Sequence, residues 1–330
     1  WNANPNRFKS HIIHYGGRGV FDNNVGSKME QIRKDYDRIY GNTMKILFVG
    51  VFDKTKESTN TSQLLAFKSN GHDVIGYNYR KKALLVGNKQ RDLDLVKVIQ
   101  DNNFDLVVFS KCNVVEYEVF EEATKITKTC LWFMDPLKSY TEKMRKKTSL
   151  VSYFCCDKLN VLEAAKKINK NSFQVCEGFD ETVDKVVDIE KCLDISFIGN
   201  VYGNRLETLN NINHDVKVVN NVFGLNHAKQ DSKSKINLNF CTNEGASDRV
   251  YKIMAAGGFL LTNDWIGRDK DFVDGKDLVL FKDSKDLNEK ISFYLKNEIE
   301  REDIAASGNS CVQKFNRISW AKKIVELCDV

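Results

Sequence analysis

From residue 44 onward the chain alternates between two kinds of apolar pattern. Lys45-Ile46-Leu47-Phe48-Val49-Gly50-Val51 is a short continuous apolar run at a glycine, the signature of a strand buried on both faces. Residues 59–70 then carry Leu64, Leu65 and Phe67 and stop before Gly71, as a helix closing on a glycine does. Further strand-like runs fall at 73–77, 105–110, 129–134, 150–155 and 173–176, with helical stretches at 92–102, 114–127 and 158–168. Strands alternating with helices at this spacing predict βαβ units on a parallel sheet.

A second series starts at Asp194-Ile195-Ser196-Phe197-Ile198-Gly199 and continues through 216–219, 236–240, 259–262 and 278–281, with three helical segments after residue 284. Between the series, residues 177–193 are polar and acidic and include Gly178, which reads as a hinge. The expected architecture is α/β: two Rossmann-like, doubly wound parallel-sheet domains, 44–176 and 194–330, facing across a cleft. Residues 1–43 form a different, more polar extension, and the start at Trp1 suggests a piece cut from a longer polypeptide.

Composition narrows the function classes. Of 330 residues, 42% are apolar and 29% charged, which excludes wholesale disorder. No uncharged apolar run approaches the ~18–20 residues needed to span a bilayer. No apolar leader opens the chain. Fifty basic against 45 acidic residues leave +5, too mild to argue for a nucleic-acid partner. The basic stretches Arg80-Lys81-Lys82 and 143–147 lack interleaved aromatics and read as solvated faces, while a weakly basic cleft for a small anion stays open. The nine cysteines include no C-x-x-C pair, and several sit in apolar runs. They read as reduced, small hydrophobes in a cytoplasmic protein, not as a disulfide scaffold or zinc site.

The most informative stretch runs from Lys235 to Thr262. Ile236-Asn237-Leu238-Asn239-Phe240 is a strand, followed by a loop with Glu244, a helix opening near Ser247, and Gly257-Gly258 turning into another strand. Ser247 is a good N-cap type, and Arg249 and Lys252 are three apart on one helix face. Two cations near a helix N-terminus suit a diphosphate, although a surface helix with two solvated cations has the same pattern.

This stretch resembles the donor-binding motif of GT-B glycosyltransferases, in particular the group-1 and spore-maturation-protein-like branch. Three other stretches match in order: Met44 to Gly50 with Ala66 to Val74, the Glu177-Gly178-Phe179-Asp180 hinge, and Asp194 to Arg205. The resemblance covers about residues 44–328. It implies transfer from a nucleotide-diphosphate sugar to a hydroxyl of a glycan or other acceptor, without a metal or other cofactor. It also implies that Arg205, Arg249 and Lys252 neutralise the leaving diphosphate, with Ser247 at the helix start and Gly199, Asn200 and Tyr202 giving close approach. Tyr202 and Tyr251 are open to stacking on the base or to packing in the core. Glu244 would hold sugar hydroxyls, which leans towards a retaining outcome.

Many retaining members carry a second glutamate eight positions on, which accepts hydrogen bonds from the ribose. Lys252 stands there, and an ammonium has no acceptor. In the first half, Asp135 ends a strand before Pro136 and is the expected contact to the acceptor hydroxyl, a general base if the enzyme inverts. Asp53 is a second choice, and Thr59, Asn60 and Ser62 either bind acceptor hydroxyls or cap the following helix. His11 to Gly17 resembles the end of a GT-A domain, so further catalytic domains in the parent polypeptide are expected, with no metal on His11 and His14. The competing readings are an epimerase or phosphorylase on the same scaffold and a non-catalytic two-lobed binding protein. A dinucleotide-dependent oxidoreductase is disfavoured, since neither Gly50 nor Gly199 begins a G-x-G-x-x-G run.

Overall fold

Strand β1, Lys45–Gly50, is covered on both sides because its side chains alternate and nearly all are apolar. Leu47 and Val49 pack with Leu95 and Phe120 in one helical layer, while Ile46 and Phe48 pack with Phe67 and Trp320 in the other. The computed structural model describes residues 43–52, 58–242 and 244–328. The chain divides into units Trp1–Thr43 and Met44–Val330. The expectations for His11, His14 and the tail of a preceding domain, and that for Asp53, lie outside the described residues.

The first sheet adds β2 (Asp73–Asn78), β3 (Leu106–Ser110), β4 (Lys128–Phe133), β5 (Tyr153–Cys156) and β6 (Ser172–Gln174), all parallel, in the order β2-β1-β3-β4-β5-β6. Its helices are α1 (Thr59–Ser69), α2 (Tyr79–Val86), α3 (Asn88–Gln100), α4 (Tyr117–Ile126), α5 (Glu142–Leu150) and α6 (Leu159–Lys166). The second sheet holds β7 (Leu193–Ile198), β8 (Lys217–Val219), β9 (Ser234–Asn239), β10 (Leu260–Asn263) and β11 (Val279–Phe281), again parallel, ordered β11-β10-β9-β7-β8. With it come α7 (Asn204–Asn210), α8 (Leu225–Ser232), α9 (Asp248–Ala255), α10 (Ser284–Lys296), α11 (Glu298–Val312) and α12 (Arg317–Leu327). Each expected strand run forms a strand of one of these two sheets, so the two-sheet α/β class stands.

Two helices escape the sequence pattern. In α5 the inward residues are Met144, Lys147 and Thr148, so two of three buried positions are polar. Lys147 is 2% exposed and donates to the carbonyls of Cys112 (2.7 Å) and Asn113 (2.9 Å), which corrects the reading of 143–147 as a wholly solvated face. Leu150 accordingly ends a helix and does not begin a strand. Helix α2 buries only Tyr79 and so has no apolar stripe to detect.

The last helix packs against the first sheet. Trp320 of α12 sits with its ring centroid 5.4 Å from both Phe67 and Trp132. The chain therefore crosses the hinge twice, and the crossings are stitched together. The Phe179 N–H donates to the Phe315 carbonyl (3.1 Å), and the Arg317 N–H donates to the Phe179 carbonyl (2.8 Å). Gly178 beside this stitch has φ +68°, and a Cβ there would lie 1.9 Å from the Phe315 oxygen, so only glycine fits. Among the described residues no helix is long and apolar enough to cross a membrane.

Candidate active site between the two sheets

In each sheet the strand order reverses beside its first strand, β1 next to β3 and β7 next to β9. Open α/β sheets bind ligands beyond the carboxyl ends of the strands at such a reversal. A cavity of about 180 Å³ lies at the reversal of the second sheet, lined there by Arg205, Ser247 and Asp248, and on the first-sheet side by Met134, Pro136 and Lys158, beyond the ends of β4 and β5.

The second-sheet wall is organised by Asn239, the last residue of β9 and fully buried. Its Oδ1 accepts from Ser247 Oγ (3.1 Å) and Arg249 Nε (3.0 Å), and its Nδ2 donates to Thr262 Oγ1 (3.2 Å). Ser247 is the N-cap residue of α9, but its hydroxyl is given to Asn239, so no side chain caps the helix. The Arg249 guanidinium lies over the Phe197 ring at 5.7 Å, and its Nη1 is 3.0 Å from where a Cβ on Gly199 would stand. Glycine at 199, with φ +145°, is what lets the side chain lie against the end of β7. Arg205 donates to the carbonyls of Asn200 (3.2 Å) and Phe240 (3.3 Å) and stacks 4.6 Å over the exposed Tyr202 ring. Burial, and then the charge of Arg249, push the Arg205 guanidinium below its ordinary pKa. The two arginines are thus brought together.

Lys252 and Tyr251 are not part of that pair. Lys252 Nζ sits 2.7 Å from Asp248 Oδ2, one turn back on α9. Burial works against its charge, but Asp248 and Asp184 outweigh this and hold the ammonium above its ordinary pKa. Tyr251 is 3% exposed and packs among Phe272 and Phe315, with ring centroids 6.2 and 5.4 Å away. It is a core residue, since the helix face two positions from Arg249 points into the domain.

Two straps run from the first sheet to the loop before α9. Lys158, 5% exposed, donates to both Asp157 Oδ2 and the Ala246 carbonyl. A Cβ on Gly245 would lie 2.5 Å from Lys158 Cδ, so this glycine makes room for the strap. Glu244 accepts from the Leu137 N–H, two residues beyond Asp135. Asp135 itself pairs with Lys111 at 2.7 Å. Lys111 and Cys112 follow β3 with φ of +59° and +52°, two consecutive non-glycine residues in the left-handed region at the carboxyl end of the sheet.

Glu177 also lines the cavity, and its carboxyl is pushed up to about 7, first by burial and then by the Asp248 and Asp157 charges. For Asp248, burial pushes the same way, yet the adjacent Lys252 leaves its carboxyl well below the usual range. Of the residues after β1, Asn60 ties Ser110 Oγ (2.8 Å) to the Val51 carbonyl (3.3 Å), and Ser58, not Thr59 or Ser62, caps α1. Sequence reasoning passed over Asn239, Lys111, Lys158 and Glu177 as site residues. Asn239 lay in plain view, the second of two asparagines that alternate with Ile236 and Leu238.

The fold and this cleft define a two-lobed protein of the GT-B type. Residues 181–329 match the family model described as glycosyl transferase-like. That match covers the second lobe, less than half of the chain, and is a likeness, while the fold of the chain is that of GT-B proteins. HepE of Anabaena, in complex with UDP-glucose, superposes with a TM-score of 0.63 at 12% identity, over 87% of this chain and 99% of HepE. A glycosyltransferase from Rickettsia africae gives 0.63 at 12% identity, over 87% and 98%. Sucrose-phosphate synthase from Thermosynechococcus elongatus gives 0.63 at 11%, over 86% and 98%. At such identities the likeness is one of fold. No curated protein matches the chain by sequence.

Proposed function

We propose that the chain transfers a sugar from a nucleoside-diphosphate sugar to a hydroxyl of a glycan or other acceptor, without a metal and with retention. The observation that carries this reading is the meeting of Arg205 and Arg249 beside the uncapped start of α9, at the reversal of strand order. A leaving diphosphate needs cations and free N–H donors at the point where its charge develops. Both are present here as protein groups, which supports a metal-independent transfer. Asn239 orients Arg249 for this role, and Gly199 allows the diphosphate to approach the backbone.

In this reading Glu244 exchanges the Leu137 N–H for hydroxyls of the transferred sugar, and Asp135, held by Lys111, faces the acceptor hydroxyl. Lys252 serves Asp248, so the ribose is recognised by other groups. The cavity of about 180 Å³ is smaller than the ~300–1,000 Å³ of usual ligand pockets, so donor entry displaces the straps at Glu244 and Lys158.

The test is a melting shift with UDP, GDP, dTDP and their sugar conjugates, each with magnesium or with EDTA. A ligand at 100 times its Kd stabilises by ~2.7 kcal/mol, so a donor is visible. An EDTA-resistant shift with one nucleotide, followed by turnover with retained anomeric configuration, supports the proposal. Absence of any shift removes it. Sugar interconversion without an acceptor would point to the epimerase alternative.

A further inference from the structure

Glu177 stands where the chain first crosses the hinge, and its backbone is held on both sides. Its N–H donates to Asp157 Oδ1 (2.8 Å), and its carbonyl accepts from Arg317 Nη1. Gly178 follows in the conformation that the stitch to Phe315 requires. With the backbone clamped in this way, the side chain lines the cavity together with Arg205, Ser247 and Asp248. Its carboxyl group has no hydrogen-bond partner among the described residues.

The cations around Glu177 are committed elsewhere. Arg317, from α12, gives Nη1 to the Glu177 carbonyl and not to its carboxyl. Lys158, beyond β5, serves Asp157 and the Ala246 carbonyl, and Lys252, on α9, serves Asp248. Arg205 and Arg249 donate to Asn200, Phe240 and Asn239. The other acids nearby are also engaged: Glu181 accepts from the Arg317 N–H (3.1 Å), Asp184 from the Asp180 N–H (3.0 Å), and Asp231 pairs with His227 on α8 (2.8 Å). Glu177 thus faces Asp248 and Asp157 with no cation bonded to it. Burial and those two charges hold its proton, and the attraction of Arg317 and Lys158 is outweighed.

A diphosphate in this cavity meets Asp248, already paired with Lys252, and Glu177, which is unpaired. Ionised, Glu177 would set a bare carboxylate against phosphate oxygens. The neutral acid instead has an O–H to give them. We propose that Glu177 touches the donor diphosphate as a neutral acid and donates a hydrogen bond to a phosphate oxygen, so that the donor is bound together with one proton. This role rests on the donor reading above and makes nucleotide-sugar binding proton-dependent. Where the free protein has lost the proton, binding takes one up from solvent, and release of the nucleotide returns it.

The experiment is titration calorimetry of the full chain with UDP-glucose, GDP-mannose and dTDP-glucose, whose diphosphate diesters stay ionised, at about pH 6 and about pH 8. For the sugar nucleotide that binds, wild-type affinity is expected to fall about tenfold over that interval, as the protonated, competent fraction falls from about nine-tenths to about one-tenth. At the higher pH the binding enthalpy should change with the ionisation enthalpy of the buffer, the mark of proton uptake. Glu177→Gln, whose amide still donates, is expected to hold the wild-type affinity of the lower pH at both values and to take up no proton. Wild-type affinity that is flat or rises with pH, or a Glu177→Gln variant that keeps the wild-type slope, would overturn the proposal. A rise would mean that the ionised carboxylate accepts from a sugar hydroxyl. If the variant misfolds, the wild-type enthalpy decides alone, and no buffer dependence at the higher pH overturns the role. Absence of binding by all three nucleotides at both pH values is instead the failure of the donor reading, and takes this role with it.

Discussion

The carboxylate of Glu244 accepts a hydrogen bond from the backbone N–H of Leu137, joining the loop before α9 to the strand end that carries Asp135. One carboxylate thereby does in the free protein what it is proposed to do for a sugar hydroxyl in the complex. A hydrogen bond to a charged group is worth ~1.5–3 kcal/mol, so Glu244→Ala is expected to cut kcat/KM by about ten- to a hundredfold. Affinity for the nucleotide alone should stay within about twofold, because Glu244 touches no phosphate in the proposal. Titration calorimetry with UDP decides: an equal loss in UDP affinity would place Glu244 on the nucleotide.

Arg249 is the sharper test of the diphosphate site. Arg249→Ala is expected to weaken nucleotide binding by ~1.5–3 kcal/mol, and Arg249→Lys by less, since lysine keeps the charge but loses the Nε–H given to Asn239. Unchanged affinity in the alanine variant removes the site.

Lys252 belongs to a charge cluster, with Asp248 at 2.7 Å and Asp184 near enough to raise its pKa. Lys252→Glu would gather three carboxylates there, so the melting temperature should fall and donor affinity should not improve. Adding Asp248→Asn to it should recover part of the loss, as expected for a pair in direct contact. Tighter donor binding in the single variant would mean that a carboxylate at 252 does face the ribose.

Glu177 gives the stability a pH dependence of definite sign. Its carboxyl is raised from 4.5 to about 7. Between those values the folded chain holds a proton that the unfolded chain has lost, so this group makes stability fall as pH rises from about 4.5 to about 7. Asp248, depressed, acts in the opposite sense and only at more acid pH. Glu177→Gln should flatten the slope across neutral pH and raise stability above it, as followed by urea unfolding at several pH values. A variant with the wild-type slope would show that Glu177 is not the titrating group.

Gly178→Ala tests the double crossing of the hinge. The new methyl would meet the Phe315 oxygen at 1.9 Å, in backbone that disfavours any side chain. A loss of more than ~2 kcal/mol is expected by denaturant unfolding. A loss below 1 kcal/mol would indicate that the stitch between Phe179, Phe315 and Arg317 yields easily.

How much of this was legible beforehand follows from what each feature depends on. The two sheets were readable because a strand buried on both faces is apolar at nearly every position, as in 45–50 and 106–110, and that signal is local. The stretch 235–262 was readable for a similar reason: strand, loop, helix start and glycine turn are contiguous in the chain. Helices α2 and α5 were not, because one buries almost nothing and the other buries a lysine.

The partners of the charged residues were settled by the tertiary structure alone. Arg249 and Lys252 share a spacing that suits one ligand, yet one side chain turns to Asn239 and the other to Asp248. Tyr251, between them, goes to the core. Lys158 meets a carbonyl 88 residues away, and Glu244 an N–H 107 residues away. The sequence by itself determined the layers, since burial is written into each segment's own composition. Only the folded chain decided the site, because a hydrogen bond depends on distances of a few ångströms between residues that the sequence keeps far apart.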